Sequence, residues 1–167
     1  MPELLIRIKK NKDGSASLAC VRADGSITWQ RQDGQLGAFF PPHDLTHYAI
    51  ETVLGYRSGF YGLIADGWEI SDFDTPFPRG RLPREAREVE ALVGALDVDR
   101  MTGELRSSVD VNEQVRFTLS LNETASGAAR QLTEAELARV REFRSNVLAK
   151  WSALEPGETL ELPFERD

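Results

Sequence analysis

The chain holds one cysteine and two histidines in 167 residues, and its basic side chains are outnumbered by acidic ones, 20 against 27. A lone cysteine closes no intramolecular disulfide, and Cys20 sits in an apolar, strand-like run where a buried, inert thiol is the ordinary outcome. The formal charge of −7 repels phosphate backbones and anionic headgroups, so nucleic acid is not an expected partner. No run approaches the roughly 20 apolar residues that span a bilayer. The opening MPELLIRIKK has no apolar stretch followed by a small-residue cleavage site, so a cytoplasmic location and no membrane partner are expected. GxSxG, Walker and dinucleotide fingerprints are missing as well. The glycines at 55, 59, 62 and 67 do not follow a strand into a phosphate-cradling turn, which disfavours serine-nucleophile, nucleoside triphosphate and nicotinamide chemistry.

What remains has the make-up of a folded domain: 41% of residues are hydrophobic and 28% charged, far from a disordered composition. The length suits one domain over residues 1–167 with a core that needs no covalent staple. Leu4, Ile6 and Ile8 alternate with polar neighbours, and NKDG and ADG supply Asp-Gly turns, so residues 3–10, 15–22 and 26–31 read as a three-strand meander. GETLELPFE alternates again near the other end, with Leu160, Leu162 and Phe164 on one face, and predicts a C-terminal strand that joins this sheet.

Helices fill the interval. THYAIETVL ends at Gly55, a good left-handed cap, and a second helix is expected from Ser58 through Ser71 on the spacing of Phe60, Leu63, Ile64, Gly67 and Trp68. The two would form an αα-hairpin. Pro76, Pro78 and Pro83 impose a stiff loop, after which Pro83 can open a helix over about 83–97. For 109–121 the signals conflict. Val115, Phe117, Leu119 and Leu121 alternate as in a strand, whereas Asp110 and Glu113 suit a helix start; the alternation predicts a strand. A last long helix opens on the capping box Thr133 to Glu136 and carries Leu137, Val140, Phe143, Val147, Trp151 and Leu154 at helical spacing. Trp151 is expected to meet Trp29 across the sheet. The fold class is α+β: an antiparallel sheet built from both ends of the chain and covered by helices.

Both histidines lie in one stretch, FFPPHDLTHYAIE, residues 39–51. On a helix advancing about 100° per residue, His43, Asp44, His47 and Glu51 share roughly one quarter of the circumference, at the border of the apolar arc of Leu45, Ala49, Ile50, Val53 and Leu54. Pro41 and Pro42 suggest that the helix starts there, which would set His43 and Asp44 in a first turn whose free N–H groups favour a neutral imidazole. A hairpin reversing at 55–58 would bring Asp66 opposite the pair. His43, His47, Asp66 and either Glu51 or Asp44 would then offer nitrogen and oxygen ligands suited to zinc, manganese or iron. The bland alternative is that the histidines bond carbonyl or carboxylate groups and Asp44 caps the helix.

HDLTH resembles the HD signature of HD-domain metal-dependent phosphohydrolases, but no histidine precedes His43, and two prolines stand where that signature's helix would run. A looser likeness is to a ubiquinone-biosynthesis family with an HDxxH helix, where Gly59 stands near the position of a later glutamate. The block from FFPPHDLTHY through GFYGLIADGWEI resembles one in uncharacterised bacterial proteins, set in the same order between a meander and a helix followed by PGETLEL. That resemblance implies one domain and brings no activity.

PRGRLPREAR gathers Arg79, Arg81, Arg84 and Arg87 around a helix start, where a phosphate or carboxylate can meet guanidinium forks, or where the arginines pair with the protein's own acids. Two function classes follow. One is a non-catalytic binding or assembly module whose aromatic and arginine-rich surface meets a partner protein or a second copy of the chain. The other is a divalent-metal-dependent, hydrolase-like enzyme, zinc being one suitable metal, acting on a small anionic substrate at the HDLTH helix.

Overall fold

The computed structural model describes residues 1–122 and 129–167. Alternation in the sequence becomes a four-stranded antiparallel sheet: β1 (Leu4–Lys10), β2 (Ala16–Arg22), β3 (Ile27–Gln32) and β4 (Thr159–Phe164), in the order β3-β2-β1-β4. Ile6 faces Cys20 on one side and Leu162 on the other, so the apolar residues of three strands share one face. Each hairpin turn is tied by its own aspartate. Asp13 Oδ1 accepts from the Ser15 N–H at 3.0 Å, and Asp24 Oδ1 from that of Ser26 at 2.9 Å.

The first helix, α1 (Leu36–Leu54), begins well before the two prolines, which lie inside it. The expected start at Pro41–Pro42 is therefore corrected, and with it the idea that free N–H groups act on His43. Gly37 anchors the early start: a Cβ there would come within 2.8 Å of the Gln32 carbonyl oxygen and 3.1 Å of Ser15 Cα, so the first turn lies directly on the β2–β3 end of the sheet. The helix stops at Gly55, whose φ of +69° suits a residue without a side chain.

The second helix is shorter than its apolar spacing suggests. α2 spans Phe60–Ala65 with Gly59 as its N-cap in place of the expected Ser58, and Gly67 at φ +101° turns the chain away before Trp68 and Ser71. A 3₁₀ turn at Ile70–Phe73 follows, and α3 (Arg84–Thr102) rises from Pro83 and ends at Gly103, φ +68°.

Residues 109–121 are helical, not a strand: α4 runs over Ser108–Asn122. Its start is fixed by a reciprocal pair, the Ser107 N–H donating to Asp110 Oδ2 at 3.1 Å and the Asp110 N–H to Ser107 Oγ at 3.2 Å. Val111 and Val115, one turn apart, bury against the neighbouring helices, while Phe117 and Leu121 remain exposed. α5 (Glu134–Ala153) opens on the expected capping box, with Glu136 N–H on Thr133 Oγ1 at 3.1 Å and Thr133 N–H on Glu136 Oε2 at 3.0 Å. Its last carbonyls are capped from the sheet: Lys10 Nζ reaches Trp151 O at 3.0 Å and Leu154 O at 2.8 Å.

Two apolar clusters result. The inner sheet face packs on α1, α2 and α5 through Leu4, Ile6, Leu18, Leu45, Ile64 and Val147. A second cluster joins α1, α3, α4 and α5 through Ile50, Leu92, Leu96, Val111 and Leu137. α1 belongs to both, so a polar residue on its flank is held rigidly between sheet and helices. Trp29 does not meet Trp151, contrary to expectation. It lies on the outer face of β3, 66% exposed, whereas Trp151 packs with the inner cluster beneath the Lys10 ammonium. Among the described residues no helix is long and apolar enough to cross a membrane.

Candidate metal centre

α3 crosses α1 in the opposite direction, so that His43 meets Asp97 and His47 meets Glu90. The two acids are seven residues apart, two turns of helix, and fall on one stripe of α3. On α1 the histidines are one turn apart, with ring centroids 5.0 Å from each other. Phe39 stacks on His43 at 5.3 Å and Phe60 leans on His47 at 5.2 Å, which limits the freedom of both rings.

Each imidazole has its Nδ1 taken by a carboxylate. His43 Nδ1 lies 2.6 Å from Asp97 Oδ2, and His47 Nδ1 lies 3.4 Å from Glu51 Oε1. The other nitrogen of His47, Nε2, stands 3.3 Å from Glu90 Oε1. One ligand atom each from His43, His47 and Glu90 can be drawn together within 4.8 Å. A carboxylate behind each ligating imidazole is the arrangement that fixes tautomer and ring orientation in metal sites.

Electrostatics point the same way. Burial opposes the charged form of His47, but the Glu90 and Glu51 carboxylates outweigh it and raise the imidazole to about 10. Burial likewise pushes Glu90 upward, and the facing His47 more than offsets this, holding the carboxyl below its usual range. The cluster stabilises a positive charge beside the cavity, and a divalent cation would take the place of the His47 proton there.

Of the residues the sequence suggested as ligands, only His43 and His47 belong to the converging group. Asp66 caps the end of α2, where it accepts from Arg166 at 2.9 Å and does not join the histidines. Glu51 is almost wholly buried and serves the start of α2, accepting from the N–H groups of Tyr61 at 3.0 Å and Gly62 at 3.2 Å. Asp44 also lines the cleft, but its Oδ2 accepts from Gln32 Nε2 at 2.9 Å, and burial raises its carboxyl to about 6 despite that bond. Glu90 and Asp97 lie outside the ligand set that helical spacing around the histidines suggests. The available signal was two acids at heptad spacing on the otherwise apolar α3 face, but which helix would lie beside α1 is not written locally.

Asp44 gives a pH-dependent expectation. Its folded value lies above the unfolded 3.8, so the folded state binds its proton first, and this residue costs stability above about pH 6, a cost relieved as pH falls toward 4. Asp44→Asn should remove that dependence and raise stability at pH 7.5 by on the order of 2–3 kcal/mol. Urea unfolding of both proteins at several pH values reads the difference, and parallel curves would show that Asp44 is not desolvated.

The cluster opens on a cavity of about 620 Å³, walled by Phe40, Phe60, Phe73 and Phe77 and by the polar His43, His47, Asp44, Asp74 and Glu90. The four arginines divide. Arg81 and Arg87 line the cavity. Arg79 bonds Asp72 Oδ2 at 2.6 Å and lies over the Trp68 ring, and Arg84 pairs with Glu88 one turn on. No family model, curated protein or solved structure matches the chain.

Proposed function

We propose that this protein is a divalent-metal-dependent, hydrolase-like enzyme whose ion is held by His43, His47 and Glu90. The convergence of those three ligand atoms at the wall of a 620 Å³ cavity, with a carboxylate behind each histidine, is the observation that carries the reading. Two imidazoles and one carboxylate form a donor set used by catalytic zinc, which keeps a further position for water or substrate. Held there by His43, His47 and Glu90, a divalent ion would supply Lewis-acid polarisation and an activated water. The chain's own residues orient the ligands, exclude bulk water with phenylalanines and hold the pocket's shape. The single buried Cys20 and the acidic surface agree with a reducing cytoplasm and with partners other than nucleic acid.

The test is a zinc titration by calorimetry on untagged, chelator-treated protein at pH 7.5. One ion per chain is expected, with affinity lowered at least a hundredfold in Glu90→Gln and in His43→Ala. Neither side chain is fully buried, so both variants should fold. Unchanged stoichiometry and affinity in both would end the proposal.

A second reading, the non-catalytic assembly module, is favoured by one observation. Ile27 and Trp29 are 55% and 66% exposed on the outer face of β3, the sheet's open edge, and Phe117 and Leu121 form an exposed pair on α4. Light scattering over a concentration series distinguishes the two: a monomer throughout would remove self-assembly.

A further inference from the structure

Resting on the metal reading above, we infer that the cavity takes an amphipathic oxyanion, a carboxylate or phosphoryl group on an apolar body, and binds it tightly only with the divalent ion in place. The argument begins with the lining. Phe40, Phe60, Phe73 and Phe77 make a wall that suits an aromatic or aliphatic body, and 620 Å³ is room for a ligand of ordinary metabolite size. Charged groups of both signs stand on that wall, Asp44, Asp74 and Glu90 with Arg81 and Arg87. Carboxylates beside the guanidinium groups oppose an anion, and a doubly charged cation held at Glu90 and the histidines offsets that opposition.

Arg87 is placed to share such a ligand with the ion. It lies three residues before Glu90, so on α3 the two rise about 4.5 Å apart on the same face. One guanidinium nitrogen of Arg87 is steadied by the Leu82 carbonyl at 2.8 Å, which keeps the fork at the wall. Arg81, on the loop before α3, stands at the exposed rim. An oxyanion has at least two oxygens, and this pocket offers two kinds of partner for them, the ion and a planar fork. A neutral ligand of the same apolar body would use the phenylalanines alone.

The coupling is reciprocal: whatever factor the ion adds to anion affinity, the anion adds to ion affinity. The experiment is calorimetry on the full chain at pH 7.5. Zinc alone is titrated first; then octanoate, phenyl phosphate and the neutral control octanol are titrated into zinc-loaded and chelator-treated protein. At least one anion should bind roughly tenfold tighter with zinc present, octanol should be unchanged within about twofold, and Arg87→Gln should remove roughly tenfold of the anion's affinity while leaving zinc binding alone. Arg81→Gln, at an exposed position, provides a second variant that cannot fail by unfolding and should weaken the anion severalfold. A preference for octanoate identifies carboxylates as the class, and one for phenyl phosphate identifies phosphoryl oxygens. Zinc binding without any gain in anion affinity, or anion affinity untouched in both arginine variants, overturns this inference and leaves the metal site standing. Failure of zinc to bind at all overturns both.

Discussion

Glu51→Ala should cost this protein about 3–5 kcal/mol of folding stability, the range seen when one partner of a buried charged network is removed. The residue is only 1% exposed, and its carboxylate serves three donors at once: the N–H groups of Tyr61 and Gly62 at the start of α2 and, at 3.4 Å, His47 Nδ1. Truncation leaves two helix N–H groups without acceptors. It also removes one of the two carboxylates that hold His47 charged, and empties space that exists because residue 59 has no side chain; a Cβ there would lie 2.5 Å from Glu51 Cδ. Glu51→Gln separates these effects. Its amide oxygen can still receive the two N–H groups, so stability should fall by only about 1–2 kcal/mol. The amide NH₂ then faces His47 Nδ1, which must take the opposite tautomer with its proton on Nε2, and zinc affinity should drop about 10–100-fold. Urea unfolding followed by tryptophan fluorescence, with zinc titration of the glutamine variant, measures both. An alanine variant within about 1 kcal/mol of the parent would show that the carboxylate does not hold α2 to α1.

That one residue has two duties explains why the sequence revealed the histidines but not their setting. His43, His47 and Glu51 share a face of α1 by simple helical spacing, and the structure keeps them there. What spacing cannot say is which way a buried carboxylate is spent. Glu51 faces Gly59 and the free N–H groups of α2, partners fixed by the Gly55 turn, and so is occupied before any ion arrives. A reversal at 55–58 predicts Asp66 opposite the histidines, but Asp66 caps α2 and pairs with Arg166 instead. Glu90 and Asp97 reach the site through the packing of α3 on α1, a contact across 43 residues for His47 and 54 for His43. The strands were legible because alternation and Asp-Gly turns are local, and the same rule misled at 109–121. There Val115 and Leu119 pack on the helical core while Phe117 and Leu121 remain in solvent, so an apolar residue at every second position reflects surface exposure as much as a strand face. Prolines misled for a related reason. A helix can carry Pro41 and Pro42 near its beginning when its first turn is held by other means, here the close seating of Gly37 on the sheet.

Two glycines of similar sequence appearance should respond oppositely to one added methyl group. At Gly62 a Cβ would lie 2.1 Å from the Arg57 carbonyl oxygen and 2.7 Å from its carbon. Both are backbone atoms and cannot rotate aside, so the turn between α1 and α2 would have to open. That turn also sets the Tyr61 and Gly62 N–H groups against Glu51, and α2 presents Tyr61 and Ile64 to the sheet. Gly62→Ala should therefore cost about 3 kcal/mol or more, a fall in Tm of about 6–12 °C for a chain of this size. It should also loosen His47, because Phe60 and Glu51, which flank that ring, both depend on where α2 begins. Gly94 is mid-helix in α3, at ordinary helical φ, and a Cβ there meets no atom of the described residues within 4 Å. Gly94→Ala lowers the entropy of the unfolded chain without steric conflict and should add about 0.5–1 kcal/mol. The residue lies between Glu90 and Asp97 on the same stripe of α3, so the variant also tests the site's spacing: its zinc affinity should stay within about twofold of the parent if the ion sits against Glu90 and the histidines as proposed. Thermal unfolding of both variants beside the parent gives the comparison. Equal and small shifts would mean that α2 can move away from α1 at little cost, and that rigid placement of His47 is not a property of this fold.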